Sequence, residues 1–284
     1  MKVLVTGANG QLGQALKATK PAHIELLGMT REQLDLANPT QVFAVITAVK
    51  PRVIINTAAF TRVDDAEQNP QLAMAINADG PAALAEAANA VGAHIIHLST
   101  DYVFDGDALT PYAPEVPLNP KTEYGKSKAV GEALLAKKAK SYQIVRTAWL
   151  FSEYGHNFVK TILRLAEKQQ ALRIVADQVG CPTYAGHLAE YLWWQALNPA
   201  VMPKLQHFCG DHAVSWAEFA AQIVLAAIKQ GRLKRAPDII PISSSEYASK
   251  TPRPRYSVLQ NNALPICRDW RVGIEQTIAA LQQQ

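Results

Sequence analysis

Two residues near the middle of the chain have types and a spacing that suit proton transfer. Tyr124 and Lys128 lie four residues apart in the segment TEYGKSKAVGE, and this spacing places both side chains on one face of a helix. A phenol with a pKa of about 10 is a poor acid or base at neutral pH. A neighbouring ammonium would stabilise the phenolate, so we expect Lys128 to lower the pKa of Tyr124 towards the working range.

A second group lies in the stretch HLSTDYVFDG, where an apolar, strand-like run ends at Ser99, Thr100 and Asp101. In open α/β sheets, catalytic and binding residues collect beyond the carboxyl ends of such strands. We expect Thr100 to hydrogen-bond a substrate carbonyl oxygen beside Tyr124. Ser99 is an alternative, because the sequence does not settle which hydroxyl points inward. Asp101 is expected to cap or brace the turn.

The third feature is a glycine-rich turn. The segment VTGANGQLG places Gly7, Gly10 and Gly13 directly after the first apolar run, at the start of a helical pattern. Glycines let the backbone approach a pyrophosphate, and the N-terminus of the following helix offers free N–H groups and a favourable dipole. The turn therefore predicts dinucleotide binding, although its first spacing differs from the strict G-x-G-x-x-G pattern.

The end of the second predicted strand indicates which dinucleotide is bound. An Asp or Glu at this point would hold the 2′-hydroxyl of the adenosine ribose, but the chain has Met29, Thr30 and Arg31. Arg31 is placed to face a 2′-phosphate, and the alternative is that it is a solvated loop residue. We expect NADPH to be preferred and NADH to bind more weakly.

The elements that must position these residues are short apolar runs that alternate with helical patterns. Such alternation indicates an α/β fold with a Rossmann-type doubly wound parallel sheet and a smaller, interleaved α/β substrate domain. The predicted strands are 2–5, 25–29, 53–56, 93–98, 142–146 and 172–175, and the predicted helices are 11–18, 39–49, 71–90, 124–137, 158–167 and 185–197. We expect an NADPH-binding domain over 1–148 plus roughly 172–200, and a substrate-binding domain over 149–171 and 201–284.

The composition disfavours several classes of protein. The 284 residues are 49% hydrophobic and carry a formal net charge of +4, which gives no reason to expect a nucleic-acid partner. Charged residues interrupt every apolar stretch before it could span a bilayer. Cys181, Cys209 and Cys267 are far apart in the sequence, so neither a disulfide framework nor a zinc site is expected. We predict a cytoplasmic protein with no membrane partner.

Several motifs resemble those of the dTDP-4-dehydrorhamnose reductases, a family of the extended short-chain dehydrogenase/reductase superfamily. They occur in family order from one end of the chain to the other, as GANGQLG, INTAAFTRVDDAE, STDYVFDG, YGKSKAVGE, RTAWLF, DQVGCPT and RPRYSVL. The resemblance implies NADPH-dependent reduction of the 4-keto group of dTDP-4-dehydro-6-deoxy-L-mannose to dTDP-L-rhamnose. A dTDP-sugar is then the substrate partner.

The resemblance also implies roles for individual residues. The implied catalytic residues are Thr100, Tyr124 and Lys128. The expected cofactor-binding residues are Gly7, Gly10, Gln11, Leu12, Gly13, Arg31, Asp35, Leu36, Ala58, Ala59, Thr61, Tyr124 and Lys128. The expected substrate-binding residues are Thr100, Asp101, Tyr102, Trp149 and Arg253. Trp149 has the alternative of a core aromatic at a domain joint. Arg253 could pair with the substrate pyrophosphate, or form a surface salt bridge instead.

Metal binding is where the chain departs from some members of the family. Those members bind magnesium at a dimer contact through a glutamate two positions after the last glycine of the turn. Here that position is Ala15, and Glu190 is the only acid in the later corresponding segment, GHLAEYL. We therefore predict no metal, and we expect a monomer or a weak homodimer.

Other functions are weighed against this one. A sugar-nucleotide dehydratase of the superfamily would follow the strand-end Thr with Asp-Glu, but this chain has Tyr102 after Asp101, so elimination is disfavoured. A reductase of another nucleotide 4-keto-6-deoxysugar stays as an alternative. So does a non-catalytic NADP-binding regulatory subunit resembling that of methionine adenosyltransferase.

Overall fold

Strands and helices alternate through the first half of the chain in the computed structural model, which describes residues 1–201, 203–247, 249–262 and 268–283. The strands are β1 (Lys2–Thr6), β2 (Glu25–Met29), β3 (Val53–Asn56), β4 (His94–Thr100), β5 (Tyr142–Thr147), β6 (Leu150–Phe151), β7 (Ala171–Val175), β8 (Val179–Gly180), β9 (Thr183–Tyr184), β10 (Leu205–His207), β11 (Val214–Ser215) and β12 (Asp238–Ile242). The α-helices are α1 (Gln11–Ala18), α2 (Pro39–Val49), α3 (Val63–Gln68), α4 (Pro70–Met74), α5 (Gly80–Val91), α6 (Glu123–Lys138), α7 (Phe158–Ala166), α8 (Ala185–Leu197), α9 (Trp216–Lys229) and α10 (Trp270–Gln282).

A parallel sheet in the order β10–β5–β4–β3–β1–β2 forms the centre of the fold. Alternate residues of one strand enter different cores: Val3 and Val5 pack with α1 and α8, whereas Leu4 packs with α2 and α5. Because helices cover both faces, the buried strands are continuous apolar runs. The predicted α/β class with a doubly wound parallel sheet is confirmed.

Helix α6 carries the two residues with proton-transfer chemistry. Thr122 caps its N-terminus, since the Thr122 side chain accepts a hydrogen bond of 3.0 Å from the backbone amide of Gly125. Gly125 also lets the turn after β4 approach the helix, because a Cβ at this position would lie 2.2 Å from the Tyr102 carbonyl oxygen. The start of α6 is therefore fixed against the end of β4, with Tyr124 in the first turn and Lys128 in the second.

The long helix predicted over 71–90 is instead α4, a π-helical segment (Ala75–Asp79) and α5. Pro81 explains the interruption, because proline has no N–H for the carbonyl four residues earlier and its ring clashes with that carbonyl. This carbonyl belongs to Asn77 and faces α6, where a Cβ on Gly131 would lie 2.0 Å from it. Short π-helical segments occur frequently at functional sites.

The second half of the chain packs α7, α9 and α10 around an aromatic core that includes Phe219. Two strands of this half pair in a way that the predicted domain boundaries do not allow for. β7, assigned from sequence to the NADPH-binding domain, pairs with β12 outside the central sheet, whereas β10, assigned to the substrate domain, pairs with β5 and extends that sheet. Both pairings join segments that are distant in sequence, so local patterns do not reveal them. Helices α9 and α10 were not among the predicted elements.

Candidate active site

A cavity of about 810 Å³ opens at the carboxyl ends of β1, β3, β4 and β5. The expected site residues that line it are Gly7, Gly10, Gln11, Leu12, Arg31, Asp35, Leu36, Ala58, Ala59, Thr61, Thr100, Asp101, Tyr102, Tyr124, Lys128 and Trp149. Gly13 and Arg253 lie outside this lining. The fold thus brings residues from across the chain into one space.

The glycine turn forms one end of the cavity. Gly7 has φ of +66°, in the left-handed region, and a Cβ on it would lie 2.9 Å from the backbone nitrogen of Ala58. A Cβ on Gly13 would lie 2.4 Å from the Gly7 carbonyl oxygen, so Gly13 serves the packing of turn against helix. The first N–H groups of α1 have no partner within the helix, and Gly10 adds no capping side chain. This end suits an anionic group.

Thr100 and Tyr124 lie side by side deep in the cavity. Both side chains are buried, and the Thr100 hydroxyl is close enough to the Tyr124 phenol to act on its pKa. Ser99 also lines the cavity, but its hydroxyl has no hydrogen-bond partner in the described part of the chain. Of the two hydroxyls left open by the sequence, Thr100 is the one beside Tyr124.

The electrostatics of Tyr124 differ from the expectation. Burial raises the pKa of the phenol well above its ordinary value; the Thr100 contact opposes this shift, and the nearby Asp101 adds to it. The predicted lowering by Lys128 is wrong, because the ammonium group is engaged elsewhere. Lys128 Nζ donates a hydrogen bond of 2.6 Å to the Leu98 carbonyl oxygen. Burial lowers the pKa of Lys128 to about 8.

Asp101 is a buried carboxylic acid at the end of β4. Its Oδ1 accepts a hydrogen bond of 2.9 Å from the Thr100 hydroxyl, whereas its Oδ2 has no partner among the described residues. Burial raises the pKa of Asp101 to about 6, against the opposing effect of the nearby Ser257 and Thr100 hydroxyls. Thr100, rather than the Asp101 side chain, caps the turn by accepting a hydrogen bond from the Tyr102 amide.

Two arginines near the cavity already have acidic neighbours. Arg31 lines the cavity with a side chain that is 69% exposed, and its Nε lies 3.9 Å from Asp35 Oδ2. Arg253 forms a salt bridge of 2.7 Å with Asp64 of α3. This ion pair is the alternative that the sequence left open for Arg253, and any anionic ligand of Arg253 would have to compete with Asp64.

Trp149 lies both against a hydrophobic core and in the lining of the cavity. Its ring lies parallel to that of Trp216, with centroids 3.4 Å apart, within the core of the second half. The same residue lines the cavity. Trp149 has φ of 45°, and non-glycine residues rarely adopt this left-handed conformation. Such backbone strain clusters at functional sites.

Comparison with known proteins now assigns a family. The family model described as RmlD substrate binding domain matches residues 1–283. The chain belongs to this RmlD family. A dTDP-4-dehydrorhamnose reductase from Aggregatibacter actinomycetemcomitans is 42% identical over 264 residues, which cover 91% of this chain and 90% of the relative. The resemblance seen in the sequence motifs is confirmed.

Two further comparisons extend over nearly the whole chain. The spore coat polysaccharide biosynthesis protein SpsK of Bacillus subtilis is 40% identical over 280 residues, or 97% of this chain and 96% of the relative. The crystal structure of a dTDP-4-dehydrorhamnose reductase from Bacillus anthracis, in complex with NADP, superposes with a TM-score of 0.91 at 35% identity, covering 98% of this chain and 99% of that one.

Sequence reasoning missed one residue that braces this RmlD-family site. Asn77, in the π-helical segment, accepts a hydrogen bond of 2.8 Å from the Phe60 amide and donates one of 3.0 Å to the Ser127 hydroxyl. Ser127 donates in turn to the Tyr124 carbonyl oxygen at 2.8 Å. Asn77 therefore ties the loop after β3 to the start of α6. The available signal was a polar residue three positions before Gly80-Pro81 in an alanine-rich helix.

The described part of this RmlD-family chain bears on three other expectations. Cys181 and Cys209 are buried and unpaired but adjacent in space, and Cys181, together with burial, raises the pKa of the Cys209 thiol. Cys267 lies outside the described residues. Within the described ranges, no group of three or more His, Cys, Asp or Glu side chains is placed to hold a metal ion. No described helix is both long and apolar enough to cross a membrane.

Proposed function

We propose that this protein reduces the 4-keto group of dTDP-4-dehydro-6-deoxy-L-mannose to dTDP-L-rhamnose with NADPH. The observation that carries the proposal is the grouping of Thr100, Tyr124 and Lys128 in one cavity with the glycine turn. The names of the relatives support the substrate, and the NADP complex of one of them supports the cofactor.

The residues present fit a dinucleotide. Gly7 leaves room where a Cβ would crowd Ala58, and the unpartnered N-terminus of α1 suits a pyrophosphate. The Ser99 hydroxyl is buried in the lining with its hydrogen-bonding capacity unused. The residues that would hold the cofactor are Gly7, Gly10, Gln11, Leu12, Arg31, Asp35, Leu36, Ala58, Ala59, Thr61, Tyr124 and Lys128, with Gly13 supporting the turn. When bound, NADPH supplies a hydride to the carbonyl carbon.

Tyr124 is the group that supplies the proton to the carbonyl oxygen. Burial raises the pKa of its phenol, so the proton stays on Tyr124 until negative charge develops on the substrate oxygen. The Thr100 hydroxyl has a single proton, which it now donates to Asp101. Turning that proton towards the Tyr124 oxygen would stabilise the phenolate left after transfer. Positioned proton transfer of this kind contributes typically ~10²–10⁴-fold to the rate.

The residues that would contact the substrate are Thr100, Asp101, Tyr102 and Trp149, which line the cavity, and Arg253, which lies outside this lining. Trp149 offers an indole at the junction between the sheet and the second half of the chain. Arg253 would reach the substrate pyrophosphate after exchanging its salt bridge with Asp64, because a guanidinium matches the geometry of phosphate oxygens. We also propose that the protein is cytoplasmic, and that it is a monomer or weak homodimer. Light scattering on the purified protein tests the oligomeric state, and fractionation of the cells that make it tests the location.

The other readings make different predictions. Elimination lacks the Glu of its Asp-Glu pair, since Tyr102 follows Asp101 where a dehydratase would have Glu. A non-catalytic subunit has no need of a buried phenol, hydroxyl and amine in one cavity. A reductase of another nucleotide 4-keto-6-deoxysugar stays open, because the residues described here do not select the base.

The deciding experiment measures NADPH consumption by the purified protein with dTDP-4-dehydro-6-deoxy-L-mannose, and identifies the product by NMR. We expect stoichiometric formation of dTDP-L-rhamnose. The same assay with UDP-linked and other 4-keto-6-deoxysugars tests the closest alternative. Binding of NADPH without turnover of any keto-sugar would overturn the proposal and favour the regulatory subunit.

A further inference from the structure

A line of buried polar side chains runs beneath the cavity, from Lys128 across three neighbouring strands. Lys128 Nζ lies 3.3 Å from His97 Nε2, and Nδ1 of the same ring lies 2.9 Å from the side-chain amide of Asn56. Asn56 lies 2.6 Å from the Thr6 hydroxyl. These four residues are at most 2% exposed. Asn56 is the register partner of both His97 and Thr6, so the sheet itself fixes the line.

The protons of this line cannot be distributed freely. Burial, reinforced by the charge of Lys128, lowers the pKa of His97 well below its ordinary value, so the ring is neutral. A neutral imidazole has one nitrogen that donates and one that accepts. The nitrogen that faces Lys128 and the nitrogen that faces Asn56 must therefore play opposite roles.

Two arrangements give each donor on Lys128, His97 and Asn56 that points along this line an acceptor. When Lys128 is an ammonium, it donates to Nε2; Nδ1–H of His97 then donates to the oxygen of Asn56, whose NH₂ turns to Thr6. When Lys128 is a neutral amine, Nε2–H donates to it, and the NH₂ of Asn56 donates to Nδ1 while its oxygen accepts from Thr6. A hydroxyl can donate or accept, so Thr6 suits both arrangements.

We propose that His97 is a positioning residue for Lys128, and that its tautomer follows the protonation of the lysine through the Asn56 amide. Only the expected effect on turnover rests on the proposed reductase function. With one N–H held by Leu98 and another contact made to His97, Lys128 directs its remaining N–H towards the cavity. The far end of the line reaches the cofactor loop, because the Ala58 amide donates to the Thr6 hydroxyl at 3.2 Å.

The other titratable groups near Lys128 are already paired or neutral. His97 is therefore the neighbour of Lys128 whose protonated nitrogen can change. Glu132, one turn further along α6, acts to raise the pKa of Lys128, but it is itself paired with Arg146 at 2.6 Å. Tyr124, one turn earlier, is held neutral by burial. Lys128 is the charged group that acts on His97.

The direct test uses the cofactor-free wild-type protein and measures no activity. Long-range ¹H–¹⁵N spectra identify the protonated ring nitrogen of His97, and ¹³Cε-labelled lysine reports the titration of Lys128, assigned with Lys128→Met. We expect the ring to change from Nδ1–H to Nε2–H with the same midpoint as Lys128, near the pKa of about 8. One unchanging tautomer throughout the titration, or an imidazolium ring at neutral pH, would overturn the proposal.

Matched variants then separate the two ring nitrogens. The Asn side chain reaches about as far as Nδ1 and the Gln side chain about as far as Nε2, so His97→Asn should lose the contact with Lys128 and His97→Gln should keep it. We expect His97→Asn to lower the pKa of Lys128 by about one unit, a tenfold change in its proton affinity. His97→Gln should restore most of that shift, and turnover should follow the same order.

His94 provides the control, because it is also buried on β4 but pairs with Ser141 and Gln143. His94→Asn should cost stability while leaving the pKa of Lys128 and the turnover unchanged. Equal effects of His97→Asn and His94→Asn on Lys128 would reduce His97 to a structural role. Since the spectra require no substrate, failure of the reductase assay with an intact tautomer change would refute the proposed function and not the role of His97.

Discussion

The Thr100 hydroxyl donates its proton to Oδ1 of Asp101 at 2.9 Å while lying beside the Tyr124 phenol. A hydroxyl has one proton and two acceptor sites, so Thr100 cannot serve the carboxylate and a phenolate at the same time. The protonation of Asp101 is therefore linked to the chemistry of Tyr124. This link makes Asp101 more than a turn residue.

Asp101→Asn should make the protein relatively more stable as the pH rises. The pKa of Asp101 lies at about 6 against an ordinary value of 3.8, so between these values the folded state binds more protons than the unfolded state. Wild-type stability consequently falls as pH rises through this window, and asparagine removes the effect. The difference between the two proteins should grow by a value on the order of 3 kcal/mol and then level off.

Urea unfolding of both proteins across this pH range measures the difference. Asp105→Asn is a suitable control, because a hydrogen bond from Tyr112 lowers the pKa of Asp105. The stability contributed by Asp105 should therefore change with pH in the opposite direction to that of Asp101. Parallel stability curves for wild type and Asp101→Asn would show that Asp101 does not titrate abnormally.

Tyr124→Phe tests the assignment of the proton donor. The substitution removes the phenol oxygen and keeps the ring, which packs edge-on against Tyr102 with centroids 5.5 Å apart. We expect kcat to fall by roughly 10²–10⁴-fold, with the fold and NADPH affinity retained. Stopped-flow turnover, NADPH titration and circular dichroism make the comparison. Near wild-type turnover in a folded variant would remove Tyr124 from the chemistry.

The parts of the site that could be read from sequence are those set by local spacing. Tyr124 and Lys128 lie on the same face of successive turns of one helix, and the glycine turn follows β1 directly, so neither depends on the rest of the fold. The partner of Lys128 could not be read in this way. His97 faces it because of the position of β4 under α6.

The same distinction holds for the fold. Buried parallel strands and most helices were predicted because their apolar patterns are local. The π-helical segment was missed because it depends on Pro81 acting on the carbonyl of Asn77, inside a run with strong helical propensity. The place of β10 in the central sheet was missed because it depends on pairing with β5. In this pairing Leu205 lies opposite Ile144, which is some sixty residues earlier in the chain.

Glu132→Gln should destabilise the protein strongly. Glu132 and Arg146 form a salt bridge of 2.6 Å with side chains only 6% and 3% exposed. Removing one partner of such a pair strands the other charge and costs about 3–5 kcal/mol. Glu86→Gln is the matched control, because the Glu86–Lys138 pair has the same length but lies at the surface. It should cost about 0–1 kcal/mol. Equal losses in urea unfolding would contradict the burial argument.

Arg31→Ala tests how the two dinucleotides are distinguished. Arg31 lines the cavity and no acid stands at Met29 or Thr30 to hold a ribose 2′-hydroxyl. A charge-assisted hydrogen bond to a phosphate contributes about 1.5–3 kcal/mol, so NADPH affinity should fall roughly tenfold or more while NADH affinity stays nearly unchanged. Fluorescence titration with both cofactors measures this, and Arg52→Ala, at an exposed position outside the cavity lining, controls for the loss of one positive charge.

The neighbouring Asp35 carboxylate, 3.9 Å from Arg31, should increase the difference between the two cofactors. Once Arg31 is gone, Asp35 would repel a 2′-phosphate but not a hydroxyl. Equal weakening of both cofactors would show that Arg31 does not read the 2′-position.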